Sequence, residues 1–187
     1  NRAELGALFS ALDPVWQARE TLSGQGPDQN VTVGIPSLAA DEQGRFYALW
    51  SEAPGPEEPG QVLTAAAWDG SHWTRAAQVL RSPDTPKDFA TTIQALSKAE
   101  QPALTVDNQG RLHAVWSGGT DGEVYYSQAY TRDVTTPQGW SPPSALPGST
   151  ASGSHPDIVA DPRGAVLYAA YAVPYNEGRG IYVVRSV

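Results

Sequence analysis

Three kinds of side chain in this sequence have the chemistry to act on or hold a ligand: loop carboxylates, three histidines and a set of recurring aromatics. Glu52 and Asp121 fall in loops that follow corresponding strands. Two facing carboxylates could serve as the acid and the base or nucleophile of a glycosidase. Such a pair needs an environment that tunes its two pKa values, and in a chain of net charge −8 loop acids are ordinarily just solvated. The solvated reading is preferred. Asp41, Asp107 and Asp161 recur at one place in a repeat, as calcium ligands can. Each stands three residues before a glycine, Gly44, Gly110 and Gly164. An Asp that bonds turn backbone, followed by a residue free to take positive φ, is the chemistry of a tight hairpin. All six are read as structural turn residues.

His72, His113 and His155 lie in unrelated contexts, so no zinc cluster is expected. With no cysteine in the chain, disulfides, thiolate metal sites and a Cys nucleophile are excluded. His113 aligns with Tyr47 on a strand and is read as packed in a sheet. His155, at a loop–strand junction, is the histidine placed to touch a ligand. Trp50, Trp116 and Tyr171 end corresponding strands toward one loop face, where an exposed indole could stack on a sugar ring; core or rim packing is the preferred reading. Trp16, Trp73 and Trp140 recur at the start of another strand and are assigned to packing between units. No G-x-G-x-x-G, G-K-[ST] or G-x-S-x-G pattern is present, so nucleotide cofactors and a nucleophile elbow are not expected, and no cofactor is assigned. Asn30-Val31-Thr32 matches a glycosylation sequon, which has meaning only in a eukaryotic secretory setting.

These groups are positioned by a repeat. Pro36–Trp50, Pro102–Trp116 and Pro156–Tyr171 share Pro, then Asp, then Gly, flanked by apolar β-formers. Each copy reads as a hairpin of strands a and b. The third has one extra residue before its aromatic, which predicts a bulge. A third run follows each hairpin, and after the first two comes a Trp-led fourth run at 73–80 and 140–146. Trp16–Leu22 resembles an orphan fourth strand. Four antiparallel strands recurring in this way predict an all-β chain built as a β-propeller with three four-stranded blades. Three blades are half of a six-bladed ring, so a homodimer or the remainder of a longer chain is expected to complete it. The expected layout is a helical segment at 1–14, the orphan strand at 15–22, blades at 36–80 and 102–146, and an incomplete blade at 156–187. A second short helix is predicted at 87–99 from the spacing of Phe89, Ile93 and Leu96.

Composition agrees. Only 17% of residues are charged, while six Trp, eight Tyr, 18 Gly and 16 Pro spread along the length, which suits many short strands joined by turns and excludes a disordered chain. The negative balance disfavours nucleic acid and anionic membrane surfaces, and no run is long and apolar enough to span a membrane. The start at Asn1, without Met or a signal-peptide pattern, is read as that of a mature product, a trimmed chain or a fragment.

Val33-Gly34-Ile35-Pro36-Ser37-Leu38, followed by the D-x-x-G hairpin and Trp50-Ser51-Glu52, resembles the first-blade motif of sialidases, and the turns before Trp73 and Trp140 are similar to degenerate Asp-box turns. The resemblance implies a propeller whose ligand face carries Glu52, Trp50, Trp116, Asp121, Glu123, His155, Tyr175 and Arg179. It also implies an Arg that grips a substrate carboxylate, and Gly34 stands in its place. A guanidinium fork has no substitute in a hydrogen atom, and the family's other catalytic residues have no assignable match. The expectation is a non-catalytic extracytoplasmic module (extracellular, periplasmic or cell-surface) that binds glycan or protein or serves a larger assembly. The alternative is a glycoside hydrolase of the sialidase clan, as a fragment or a dimer.

Overall fold

The computed structural model describes residues 20–23, 31–53, 60–83, 98–119, 122–149, 153–161, 163, 166–174 and 178–186. The hairpin turns in it form as their chemistry requires. Asp41 Oδ1 accepts the backbone N–H groups of Gln43 and Arg45 at 3.0 and 2.9 Å. Asp107 Oδ1 accepts those of Gln109 and Arg111, each at 2.8 Å. Gly44 and Gly110 hold φ of 76° and 73°, left-handed values that penalise a Cβ. Asp161 Oδ1 accepts the N–H of Arg163 at 2.7 Å, while Gly164 lies outside the described residues.

The chain makes three antiparallel sheets. The first holds β1 (Thr32–Val33), β2 (Ser37–Ala40), β3 (Phe46–Ala53), β4 (Val62–Trp68) and β5 (Ala77–Leu80), with β1 and β2 both paired to β3. The second holds β6 (Lys98–Val106), β7 (Arg111–Gly119), β8 (Glu123–Tyr130) and β9 (Ser144–Ala145). The third holds β10 (Ser154–Ala160), β11 (Leu167–Val173) and β12 (Gly180–Arg185).

Successive side chains of a strand take opposite faces, and the middle sheet is apolar on both. Leu112, Ala114 and Trp116 of β7 face the first sheet, sharing a core with Leu49, Leu63 and Tyr47. Val115, between them, faces the third sheet with Ile158, Ala169 and Tyr171. The sheets therefore stack face to face in chain order. Their inner strands converge at one end, where the turns carrying Asp41, Asp107 and Asp161 line a cavity of about 130 Å³. That convergence defines an axis, with β2, β6 and β10 nearest to it.

Four expectations are modified. The extra residue of the third copy lengthens the turn rather than bulging its strand. Asp161 N–H bonds Val166 O where Asp41 and Asp107 bond Arg45 and Arg111, and Ala160 faces Leu167 where Ala40 faces Phe46. The helix expected at 87–99 ends as strand, because Lys98 and Ala99 pair with Gly119 and Gly118; residues 84–97 lie outside the described set, as does the segment 1–14. The strand expected at 140–146 shrinks to Ser144–Ala145, since Pro142 and Pro143 have no N–H to give a ladder. Of the expected strand at 15–22, residues 20–22 are described and carry no strand; Leu22 packs on Ala48, Trp50 and Ala66 of the first sheet.

Candidate functional site

At the opposite end of the axis from the Asp turns, each inner strand is interrupted at the same place. Glu100 faces Ser117 and Ala103 faces Val115, so Gln101 and Pro102 together stand against Trp116 alone. Ser154 faces Ala172 and Asp157 faces Ala170, so His155 and Pro156 stand against Tyr171. In the first sheet the break between β1 and β2 leaves Gly34, Ile35 and Pro36 against Trp50 and Ser51. The repeat thus carries one extra residue per inner strand, immediately before its proline. Such bulges re-aim side chains and gather near active sites.

Two of the three are strained. Gln101 and His155 have φ of 51° and 49° and are the non-glycine residues with positive φ among those described. The left-handed conformation costs an ordinary residue ~1–2 kcal/mol, and a following proline restricts it further. Strain of this kind persists where the surroundings impose it, and it gathers at binding sites. The surroundings here are specific. The His155 N–H donates to Gln101 Oε1 at 2.7 Å, linking the second and third sheets across the axis. The Ala99 N–H donates to Gly60 O at 2.7 Å, and Gly60 N–H to Glu100 Oε1 at 3.3 Å. A Cβ on Gly60 would meet Ser51 Cβ and Ala99 O at 2.7 Å, so only glycine permits that approach. Ser117 Oγ donates to Gly153 O at 2.9 Å on the other flank. Ile35, 70% exposed, completes the set. Among the described residues, the ring nitrogens of His155 and the amide nitrogen of Gln101 have no protein partner.

The side chains singled out in the sequence disperse around this rim. Glu52 is engaged: its Oε1 accepts the Trp50 indole N–H and its Oε2 the Thr64 hydroxyl, both at 2.8 Å. Glu123 accepts the Tyr125 hydroxyl beside Gly119. Arg179 is exposed just before β12. Asp121 and Tyr175 lie outside the described residues. Trp50 and Trp116 belong to the packing rather than to an exposed ligand face. Trp116 is fully buried with its N–H on Ser82 Oγ at 2.8 Å, and Trp50 is buried against Leu22 and Ala66. Alternation along the strand decides this, because Trp116 shares its face with Leu112 and Ala114 and Trp50 shares its face with Ala48. Trp140 is core as well, donating to Val134 O at 3.0 Å; Trp73 stacks obliquely on Trp68, and Trp16 lies outside the described set.

The position of the missing arginine is occupied by the Ser51 hydroxyl. A Cβ at Gly34 would lie 2.1 Å from Ser51 Oγ, so a side chain there requires Ser51 to move. The other titratable groups serve structure. Burial pushes the Asp107 carboxyl up, but the Arg111 N–H, the His113 ring and the Gln109 N–H outweigh it and hold it below the usual carboxylate range. Burial in turn lowers the His113 pKa despite the neighbouring Asp107 carboxylate. A neutral ring fits both contacts: Nε2–H donates to Asp107 Oδ2 at 3.2 Å and Nδ1 accepts the Tyr126 hydroxyl at 2.8 Å. Asp69, in the turn before Trp73, is held at about 2 by the N–H groups of His72 and Ser71 and the Ser71 hydroxyl. No group of three His or acidic side chains suited to a metal occurs among the described residues.

Gln101 and Ile35 carried no signal as residue types. Their signal was position: each precedes the recurring proline, as His155 does.

No family model and no curated protein matches the chain in sequence. Solved structures do match its fold. An α-L-arabinanase from Penicillium chrysogenum complexed with arabinobiose aligns with 86% of this chain and 44% of its own, at a TM-score of 0.54 and 15% identity. An endo-arabinase from Bacteroides thetaiotaomicron aligns with 91% of this chain and 60% of its own (TM-score 0.55, 15% identity). A Hadza microbial sialidase aligns with 82% and 34% respectively, at a TM-score of 0.50 and 13% identity. The chain thus spans less than two thirds of each. The shared feature is the propeller-type arrangement of radial sheets, here an arc of three sheets that is not closed.

Proposed function

We propose that this chain is a non-catalytic glycan-binding module acting outside the cytoplasm, with the axial rim of Ile35, Gln101 and His155 as its binding surface. One observation carries the reading: two strained polar residues, one exposed and one half-buried, are held together by a hydrogen bond at the axial end of the sheets. A side-chain amide and an imidazole beside an exposed aliphatic group suit sugar hydroxyls and C–H faces, the mixture expected of small-ligand sites. The arabinanases and the sialidase that share the fold supply the carbohydrate class. The engagement of Glu52 and Glu123 and the glycine at position 34 in place of an arginine favour binding without hydrolysis.

Calorimetry with arabinobiose and with sialyllactose, followed by product analysis, tests the proposal. Saturable binding of either, weakened at least tenfold in Gln101→Ala or His155→Ala and with no new reducing ends, is the expected result. Release of sugar by the purified chain would overturn it. Turnover abolished by Glu52→Gln or Glu123→Gln would establish the second reading, a glycoside hydrolase, which the activities of the fold's neighbours favour. Binding confined to a protein partner would replace the glycan while keeping the rim.

A further inference from the structure

The two internal interfaces follow one rule, which also describes the two ends of the stack. The aromatic that ends strand b points back toward the preceding unit: Trp116 into the first sheet, reaching Ser82 after β5, and Tyr171 into the second, reaching Pro147 O after β9 at 3.2 Å. The residue before it points forward: Val115 packs into the interface with the third sheet. Every interface therefore joins the forward face of one sheet to the rear face of the next. What is left over is one face of each kind.

The rear face of the first sheet carries Trp50 in the place of Trp116 and Tyr171, and around it Leu38 is 65% exposed. A cavity of about 740 Å³ opens there, walled by Val33, Leu38, Phe46, Trp68 and Trp73. The forward face of the third sheet exposes Val159, Tyr168, Ile181 and Val183, with Ile181 at 75%. Contiguous apolar surface of this extent marks an interaction site. Moreover, β12 has no further strand beside it among the described residues, whereas β4 has β5 and β8 has β9. Leu22 lies on the Trp50 face as Leu80 lies with Trp116 and Leu146 with the Tyr171 cluster. Leu80 ends the fourth strand of its sheet and Leu146 directly follows that of the next, so Leu22 stands where the end of a preceding sheet's fourth strand would lie.

We infer that the occupant of both faces is a second copy of this chain. The forward face of one copy's third sheet meets the rear face of the other's first, twice over about a two-fold axis, and closes one ring of six sheets. Two observations select a second copy: the end faces are the two complementary halves of an interface already built twice within the chain, and both are apolar. Closure also completes the axial rim, which one chain lines on one side only. The inference rests on the radial arrangement of the sheets and not on the glycan reading, so a failure of glycan binding leaves it standing.

The test is the solution mass of the whole chain by light scattering, for the wild type, Leu38→Glu and Ile181→Lys. The wild type is expected near twice 19.9 kDa. Each variant, checked for an unchanged far-ultraviolet spectrum, is expected to give the mass of a monomer. Mixing the two variants is expected to restore the dimer, because the mixed pair keeps one unmodified interface and places Glu near Lys in the other. A folded monomeric wild type overturns the inference, as happens if the remainder of a longer chain fills these faces. Open higher oligomers, which a head-to-tail contact forms when it does not close, overturn it too, and so does a mixture that stays monomeric.

Discussion

Replacing His155 with glycine separates strain from structure. At φ of 49° the histidine backbone is in the left-handed region, where removing the Cβ relieves ~1–2 kcal/mol. Glycine gives back about 0.5–1 kcal/mol through the greater freedom of the unfolded chain. The hydrogen bond to Gln101 comes from the His155 backbone N–H and survives, and the side chain is exposed, so little burial is lost. The balance is a gain of roughly 0.5–1 kcal/mol. Asp157→Gly, two residues along the same strand at an exposed position with ordinary backbone, relieves no strain and gives up the Oδ1 bond from Ile158 N–H, so it is expected to lose about 1–2 kcal/mol. Urea unfolding followed by tryptophan fluorescence, with an unchanged m-value, reads both. Opposite signs, accompanied by weaker glycan binding in His155→Gly, are the expected result: a position that costs stability and serves function. If His155→Gly lowers the midpoint as much as Asp157→Gly does, the strain argument is refuted.

Trp116→Ala empties a fully buried site between two sheets and is expected to cost about 3–5 kcal/mol in the same assay; a loss below 1 kcal/mol would deny that the sheets pack there. Asp107→Ala removes the acceptor of two backbone N–H groups and of His113, at about 2–4 kcal/mol, whereas Asp161→Ala loses the bond to Arg163 N–H and costs about 1 kcal/mol; equal losses would contradict the turn geometry. Because the folded pKa of His113 lies below the unfolded 6.5, the unfolded chain takes up a proton first. The histidine's contribution is whole above about pH 6.5 and is lost as pH falls through the folded value, and Asp107 adds a second loss starting near pH 4. His113→Phe should flatten the upper limb of stability against pH, and a nitrogen-15 spectrum showing a charged His113 ring at pH 6.5 would exclude it. Gly34→Arg displaces the Ser51 hydroxyl, which can turn aside, and is expected to cost less than about 1 kcal/mol without creating sialoside binding; tight sialoside binding by that variant would show that the arginine alone was missing.

The parts of the fold legible in the sequence were those encoded by neighbours along the chain. Asp41 and Asp107 reach backbone groups two and four residues ahead, so their turns show in any window that holds the D-x-x-G. His113 packed in its sheet was legible for a related reason: it aligns with Tyr47, and both bond the second oxygen of their turn aspartate. The rim was not legible, because its residue types differ from unit to unit as Ile, Gln and His, and the bulge that aims them depends on register between strands. The burial of Trp50 and Trp116 follows from which strand face meets a neighbouring element, which a single hairpin does not show. Glu52 is claimed by Thr64 across the β3–β4 ladder, a pairing that local sequence does not announce. The short fourth strand of the second sheet was the nearest miss, since Pro142 and Pro143 already stood in the sequence as a reason for a strand not to form.

The central claim is that the repeat brings Gln101 and His155 together at one end of the inner strands. The chain has no native cysteine, so Gln101→Cys/His155→Cys can be joined by a short bis-maleimide without competing thiols, and peptide mass mapping reads the result. An intramolecular cross-link between 101 and 155 is expected in high yield. None is expected for the control Asn108→Cys/His155→Cys, whose partners lie at opposite ends of strands roughly 20 Å long. Cross-linking of the control in preference to the 101–155 pair would contradict the account.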